Sequence, residues 1–479
     1  MQTIPAMPLD YATFLQSKRV VVPPSGFQVS ADDINPKLFL HQRDIARWAI
    51  GLGRAAVFAG VGLGKTAIYL ECAKLITQHT GGQAIIFAPL AVAPQAVREG
   101  AKFGVDVKYV STQSEVGNTP IVITNYDRAH LFDLSKFTCV ILDESSILKH
   151  YSKTFFWFVE ACKNVPFRLC FTATPAPNDF VEFGNHSLFL GLMHFKDVLA
   201  RWFVGEGDIA RSARLKHHAR EDFWRWLTSW AVCISKPVDL GKQYDMAGYD
   251  LPPMHAYEHR LAAPQASIDR AWKNGVLLPD DAATATSFHK VKRESLAERV
   301  NQAVEIVSGV SDSDPIILWC HTDYEADALR KAFPSAIEVR GSQKPKQKED
   351  LLTAFSDGKE RIIITKPSIA GMGLNWQHCN RAIYVGVDFS FETTYQSMGR
   401  IHRFGQERDV HFHFIYAETE GSIMTRLKKK QDAFARMQVE MSFAMQQHGL
   451  FRESAAPAFR SSEGLQPLIV PAWLQTKAG

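Results

Sequence analysis

The sequence predicts an α/β chain of two tandem units, each a parallel sheet covered by helices, with a cleft between them. Three observations lead there. Short apolar runs alternate with helical patterns twice, first up to about residue 180 and again beyond 315. A Gly-rich turn, Gly62-Leu63-Gly64-Lys65-Thr66, joins an apolar strand to a helical pattern. An acidic pair, Asp143-Glu144, closes another apolar strand some eighty residues later.

The turn stands early in the chain. It follows Arg54-Ala-Ala-Val-Phe and precedes Ala67-Ile-Tyr-Leu-Glu-Cys-Ala-Lys. That order lets backbone N–H groups around Gly62 and Gly64, and those of the helix N-terminus, converge on phosphate oxygens. Lys65 is then placed to reach the β- and γ-phosphates of ATP, and the Thr66 hydroxyl to hold Mg²⁺. Ala59 stands where the usual eight-residue pattern begins with Gly, so the strict string is not met.

In Thr138-Cys-Val-Ile-Leu-Asp143-Glu144-Ser145-Ser146, four apolar residues predict a buried strand with the carboxylates at its C-terminal end. Ligands of open α/β sheets bind at that end. Asp143 is expected to orient Mg²⁺ through water and Glu144 to polarise the attacking water. A solvated helix N-terminus is the other reading of such a pair; the upstream phosphate loop favours the first. Further on, Arg168-Leu-Cys-Phe-Thr172-Ala173-Thr174-Pro175 is a strand ending in small hydroxyl residues. Ile369-Ala-Gly371-Met-Gly373-Leu-Asn375 is a second Gly-rich stretch. In Tyr395-Gln396-Ser-Met-Gly399-Arg400-Ile-His402-Arg403-Phe-Gly405-Gln406, the arginines three apart share one face and follow the strand at Arg381.

With these strings in order, the chain resembles the superfamily-two helicase-type motors, and within them the Swi/Snf-type DNA translocases. The Gln396-x-x-x-Arg400-x-His402-Arg403-x-Gly405-Gln406 string carries most of the likeness. Gly371-x-Gly373-x-Asn375, Thr174-Pro175-x-x-Asn178 and Pro89-Leu90 with Gln95 agree with it, and the likeness spans roughly residues 35 to 430. The resemblance implies two RecA-like domains. They divide the chain into 1–235 (ATP-binding, with a helical extension), 236–300 (linker), 301–447 (second domain) and 448–479 (tail). It also implies roles: Gln42 beside the adenine, and Gln396, Arg400 and Arg403 acting with Glu144 across the cleft, the arginines as fingers. Thr172 and Thr174 become coupling residues, and Thr124, Asn125, Gly341, Ser342, Gly371 and Asn375 nucleic-acid contacts. ATP and Mg²⁺ are the implied cofactors, and duplex DNA, read through its phosphates, the implied partner.

Two departures stand out. Asp-Glu-Ser-Ser replaces the Asp-Glu-x-His of relatives, which leaves the carboxylates intact and puts coupling in question. Ala173 stands where Gly is commoner. The expected function is ATP-driven translocation along duplex DNA. A strand-separating DNA or RNA helicase and a nucleotide-gated DNA clamp with weak hydrolysis remain as alternatives; retention of Lys65, Glu144, Arg400 and Arg403 argues against the clamp.

Composition agrees. Of 479 residues, 46% are hydrophobic and 22% charged, so sizeable cores are available. Lys and Arg (54) exceed Asp and Glu (50) by only +4, so any nucleic-acid binding must come from a local groove. Seven scattered cysteines without Cys-x-x-Cys argue against zinc and for a reducing cytoplasm. No apolar run reaches about 18 residues and no signal peptide is read, so no membrane role is expected. The absence of a recognisable chromatin-reading module or nuclease motif suggests a bacterial or phage setting.

Between about 180 and 300 the alternation fades. Phe223-Trp-Arg-Trp-Leu-Thr-Ser-Trp is read as a helix contributing to the core more than to base stacking, and Tyr257 to Leu261 as a strand leading to the second unit. A helix is expected after Gly421 through about Gln447, carrying Lys428-Lys429-Lys430. Residues 450–479 read as a tail with an apolar island, Leu468-Ile-Val-Pro-Ala-Trp-Leu, which docks back on the body or on a protein partner.

Overall fold

A computed structural model describes residues 22–450 apart from 91, 150, 177–178, 206–212, 266–267, 270–272, 274–291 and 371–373. Two parallel sheets organise the described chain. The first contains β1 (Arg54–Ala59), β2 (Ala84–Ala88), β3 (Lys108–Tyr109), β4 (Ile121–Asn125), β5 (Cys139–Asp143), β6 (Phe167–Thr172) and β7 (Ala231–Ile234). Their spatial order is β3-β4-β2-β5-β6-β1-β7. Every residue of β2, β4, β5 and β6 is buried, which is why these strands read as largely apolar runs without alternation. Because β1, β6 and β5 are successive neighbours, the Gly-rich turn, Thr172 and Asp143 all emerge at one edge of the sheet.

Two helices frame that edge. Helix α1 (Leu40–Leu52) carries Gln42 in its first turn, and α2 (Lys65–Thr80) starts directly from left-handed Gly64, φ +77°. The aromatic helix α3 (Arg220–Thr228) buries Phe223, Trp224 and Trp226, with Trp230 just beyond it, so these rings are core.

The second sheet contains β8 (Met254–Leu261), β9 (Ile316–Trp319), β10 (Ile337–Val339), β11 (Ile362–Thr365), β12 (Arg381–Val385) and β13 (Val410–Ala417), in the order β8-β13-β12-β9-β11-β10. Strand β8 lies within 236–300 and pairs with β13 along its whole length, from Met254↔Val410 to Leu261↔Ala417. One face of the sheet packs Ile383, Val385 and Ile415 with Val300, Ala303 and Val307 of α4 (Leu296–Ser308). The other presents Tyr384, Phe412 and Phe414 to the same core as Phe391 of α5 (Phe391–Met398) and Phe434 of α6 (Gly421–His448).

Helix α6 is about 42 Å long at 1.5 Å per residue and crosses between the units. It begins beside the second sheet and ends on the first unit. There Glu440 accepts from Trp224 Nε1 (3.1 Å) and Arg220 Nε (2.9 Å), and the Ser442 hydroxyl donates to Asp239 (2.8 Å). Among the described residues no helix is long and apolar enough to cross a membrane.

Three buried imidazoles tie the fold to pH. Burial pushes His41 and His186 down to about 4. Burial, and then the charge of Arg381, pushes His413 down to about 3. Arg381 Nη1 donates to His413 Nε2 (2.9 Å), so the proton sits on Nδ1 and is donated to His259 Nε2 (3.0 Å). Unfolded, each imidazole titrates near 6.5 and binds more protons than the folded state below that pH. Their contribution is therefore fully present above about pH 6.5 and falls as the pH drops toward 4. At about pH 5.5 each costs about 1.4 kcal/mol. Thermal unfolding should show a clear fall in Tm between pH 7.5 and 5.5; an unchanged Tm would contradict the neutral buried state of these rings.

Candidate nucleotide site between the two sheets

The first half of the site is the Gly-rich turn after β1. Gly62 (φ +88°) and Gly64 (φ +77°) both hold left-handed backbone, open to glycine at little cost. A Cβ on Gly64 would also fall 2.1 Å from Gln42 Nε2. Gln42 lies along the turn, donating to the Leu63 carbonyl (3.3 Å) and accepting from Phe39 N (3.1 Å). Lys65 Nζ folds back onto the carbonyls of Ala59 (2.9 Å) and Gly60 (3.3 Å), within the field of Asp143 and Glu144. Thr66 follows at the start of α2.

Asp143 is buried, and its carboxyl is pushed up to about 7, first by burial and then by the neighbouring Glu144 charge, with Lys65 opposing. Two mutually repelling carboxylates, close to the helix start that carries Thr66, are the donor chemistry a hard divalent cation takes. Among the described residues no group of three or more His, Cys, Asp or Glu gathers as a metal site. A Mg²⁺ that takes its remaining ligands from phosphate oxygens and water needs no such group.

Glu144 has the one positive φ outside glycine among the described residues, +56°. Such backbone costs on the order of 1 kcal/mol and concentrates at functional positions. It turns the carboxylate back toward β6, where Oε2 accepts from the Thr172 hydroxyl at 3.2 Å. The Thr172 oxygen in turn accepts from Thr174 N (3.1 Å).

The second half comes from α5 and the turn after it. Gln396 Nε2 lies 3.4 Å from Glu144 Oε2 and 3.3 Å from the Thr174 hydroxyl. Thr174 donates to Glu392 Oε1 (3.1 Å), and Glu392 Oε2 pairs with Lys149. The two units are thus in direct contact. A Cβ on Gly399 would sit 2.8 Å from Val61, and one on Gly62 would sit 2.9 Å from Phe404 N and 3.4 Å from Arg403 Cβ.

Arg400 is buried, donating to the carbonyls of Gln396 (2.9 Å) and Leu374 (3.0 Å), and Arg403 also donates to Leu374 O (2.8 Å). Burial and Arg403 lower Arg400 to about 9, against the pull of Glu144 and Asp143, so it stays charged at neutral pH. Lys65 feels both guanidinium charges.

The residues expected at nucleic acid divide. Gly341, Ser342 and Asn375 are exposed. Thr124 is fully enclosed within β4, and Asn125 is buried, its side chain accepting from Arg128 N and donating to Tyr109. Neither side chain faces a surface in this arrangement. Gly371 and Asn178 lie outside the described residues, as does the tail beyond Leu450.

Three participants escaped the sequence reading. Glu392 is one helical turn before Gln396, a spacing that could have flagged it. Lys149, its partner, carries no local signal. His186 sits beside the acidic motif: its Nδ1–H donates to Glu182 O (3.3 Å) and its Nε2 accepts from the Ser145 hydroxyl (3.2 Å). A histidine therefore touches Asp-Glu-Ser-Ser after all, supplied by another helix and invisible to motif reading.

The profile of the helicase conserved C-terminal domain matches residues 298–405, which include Gln396, Arg400 and Arg403. The uncharacterized ATP-dependent helicase YqhH of Bacillus subtilis is 21% identical over 458 residues, covering 84% of this chain and 79% of that protein. Both matches are to helicase-type proteins. The DNA repair protein RAD5 of Yarrowia lipolytica is 26% identical over 154 residues, 30% of this chain and 15% of its own length. Among solved structures, the Sulfolobus solfataricus SWI2/SNF2 ATPase core in complex with dsDNA is 18% identical, with a TM-score of 0.38, covering 87% of this chain and 96% of that one.

Proposed function

We propose that the chain is a DNA-dependent ATPase that couples ATP hydrolysis to movement along duplex DNA. The observation that carries the reading is the double hold on Glu144: Thr172 grips its carboxylate from the first unit and Gln396 approaches it from the second. A catalytic set completed only by contact between two units makes turnover conditional on closure.

ATP bound here supplies the phosphoanhydride, with Mg²⁺ held by Thr66 and Asp143 to offset phosphate charge. Lys65 releases the Ala59 and Gly60 carbonyls to pair with the phosphates. Gln42, held against the turn through the Leu63 carbonyl, would read the adenine. Glu144 orients the attacking water and takes its proton. Arg400 and Arg403 neutralise charge that builds on the transferring phosphoryl group, which requires them to turn from Leu374 O toward the turn they already abut. Thr174, Glu392 and Lys149 extend the hydrogen-bonded path from Glu144 along the seam, a coupling route that needs no histidine in the acidic motif itself. Gly341, Ser342 and Asn375 offer exposed contacts for a phosphate backbone.

ATP turnover should rise severalfold or more on adding DNA, with duplex at least as effective as single strands. Binding should weaken steeply between about 50 and 200 mM salt, as it does when roughly six or more phosphates are neutralised. Phosphate release measured with duplex DNA, single strands and RNA decides it, and stimulation by RNA alone would replace this reading with an RNA helicase.

A further inference from the structure

The apolar island near the C-terminus, Leu468-Ile469-Val470-Pro471-Ala472-Trp473-Leu474, has a receptor on its own chain: we infer that it docks in a groove between α5, α6 and the edge strand β8. The groove contains a cavity of about 470 Å³ walled by Met254, Phe391, Met398, Phe414, Leu427 and Phe434. It opens to the surface past Ala256, Gln431 and Ala435, all exposed. The methionines among its walls adapt their shape to an incoming side chain. Cavities of roughly 300–1,000 Å³ are the usual size for enclosing a compact apolar occupant.

Two observations select the occupant. The first is reach. Chain description ends at Leu450, which packs against the same core as the groove's walls. Gln431 to His448 of α6 spans about 26 Å. The eighteen steps from Leu450 to Leu468 extend up to ~60 Å, and a random chain of that length averages about 23 Å. A tether whose average span matches the distance required holds its end at close to the maximal local concentration. A segment of the same chain is therefore favoured over a tail from a second copy. The second is chemistry. The island carries no charge, and its aliphatic residues and tryptophan match the apolar part of the walls, among whose charged residues Glu258 and Lys428 pair with each other.

The walls belong to both units. Gly60, Val61, Ser235 and Lys236 come from the first, α5, α6 and the second sheet from the other. A docked island therefore bridges them and favours the arrangement in which Gly399 rests on Val61. That consequence for turnover rests on the function proposed above; the docking does not.

The test uses the full-length chain carrying Ala435→Cys and Ala472→Cys. All seven native cysteines are buried, so the introduced pair reacts selectively under mild oxidation. An intrachain disulfide should form at least tenfold more readily than in a control pairing Ala472→Cys with Glu160→Cys on the surface of the first unit. Adding Ile469→Asp and Trp473→Asp should abolish that preference. Equal yields at positions 435 and 160, or indifference to the two aspartates, would overturn the docking. So would a product that is mainly interchain and grows with protein concentration, because the occupant would then be a second copy. Thermal unfolding of each variant confirms that the body is intact, and no readout depends on ATP turnover.

Discussion

Glu144→Gln should bind ATP and Mg²⁺ within a fewfold of the native chain and lose turnover by about 10²-fold or more. The substitution is close to isosteric. A glutamine carbonyl can still accept from the Thr172 hydroxyl at the place where Oε2 now does, at 3.2 Å. Asp143, Thr66 and Lys65, the groups placed to hold the cation and phosphates, are untouched. What disappears is a carboxylate able to accept a proton. Removing the Glu144 charge also relieves Asp143, whose carboxyl that charge helps push up to about 7. Cation binding therefore should not suffer. Nucleotide binding and phosphate release measured in parallel check the result, and turnover within tenfold of native would remove Glu144 from the role of base.

How much of this was legible in the sequence follows from what each feature depends on. The two sheets were legible because parallel strands buried on both faces must be continuous apolar runs, as Ala84–Ala88 and Cys139–Asp143 are. The Gly-rich turn and the acidic pair were legible because their chemistry is local, set by neighbours in the chain. Contacts that depend on how the units meet were not. Lys149 and Glu392 are 243 positions apart and pair only because α5 lies against the end of β6. Strand β8 looked like a strand from its composition, but its membership of the second sheet is decided by β13, far downstream. Strand β3 escaped notice because its two residues are exposed. The enclosed Thr124 shows the opposite limit. A resemblance carries a residue's position and not its exposure, and here the side chain sits inside the sheet.

Arg403→Ala should leave DNA binding nearly intact while lowering DNA-stimulated turnover by about 10²-fold or more, with Arg400→Ala similar or smaller; arginine fingers in phosphoryl transfer contribute about 10³–10⁵. Arg403 belongs to the second unit, yet its Cβ lies 3.4 Å from where a Cβ on Gly62 would be, and its charge is felt by Lys65 across the seam. No exposed residue expected at the nucleic acid lies in this turn, so its removal takes charge from the phosphate site alone. Arg400 is more deeply committed. It satisfies the carbonyl of Gln396 and shares that of Leu374 with Arg403, so truncation leaves the buried Gln396 acceptor short of a donor at a cost of about 1–3 kcal/mol. A fall in Tm should therefore accompany Arg400→Ala and be smaller for Arg403→Ala. Arg403→Lys separates charge from shape, because a lysine retains the charge but not the planar fork that pairs with phosphate oxygens. It should recover only part of the loss. Full DNA-stimulated turnover in Arg403→Ala would leave the second unit without a role in the chemistry, and the split site with it.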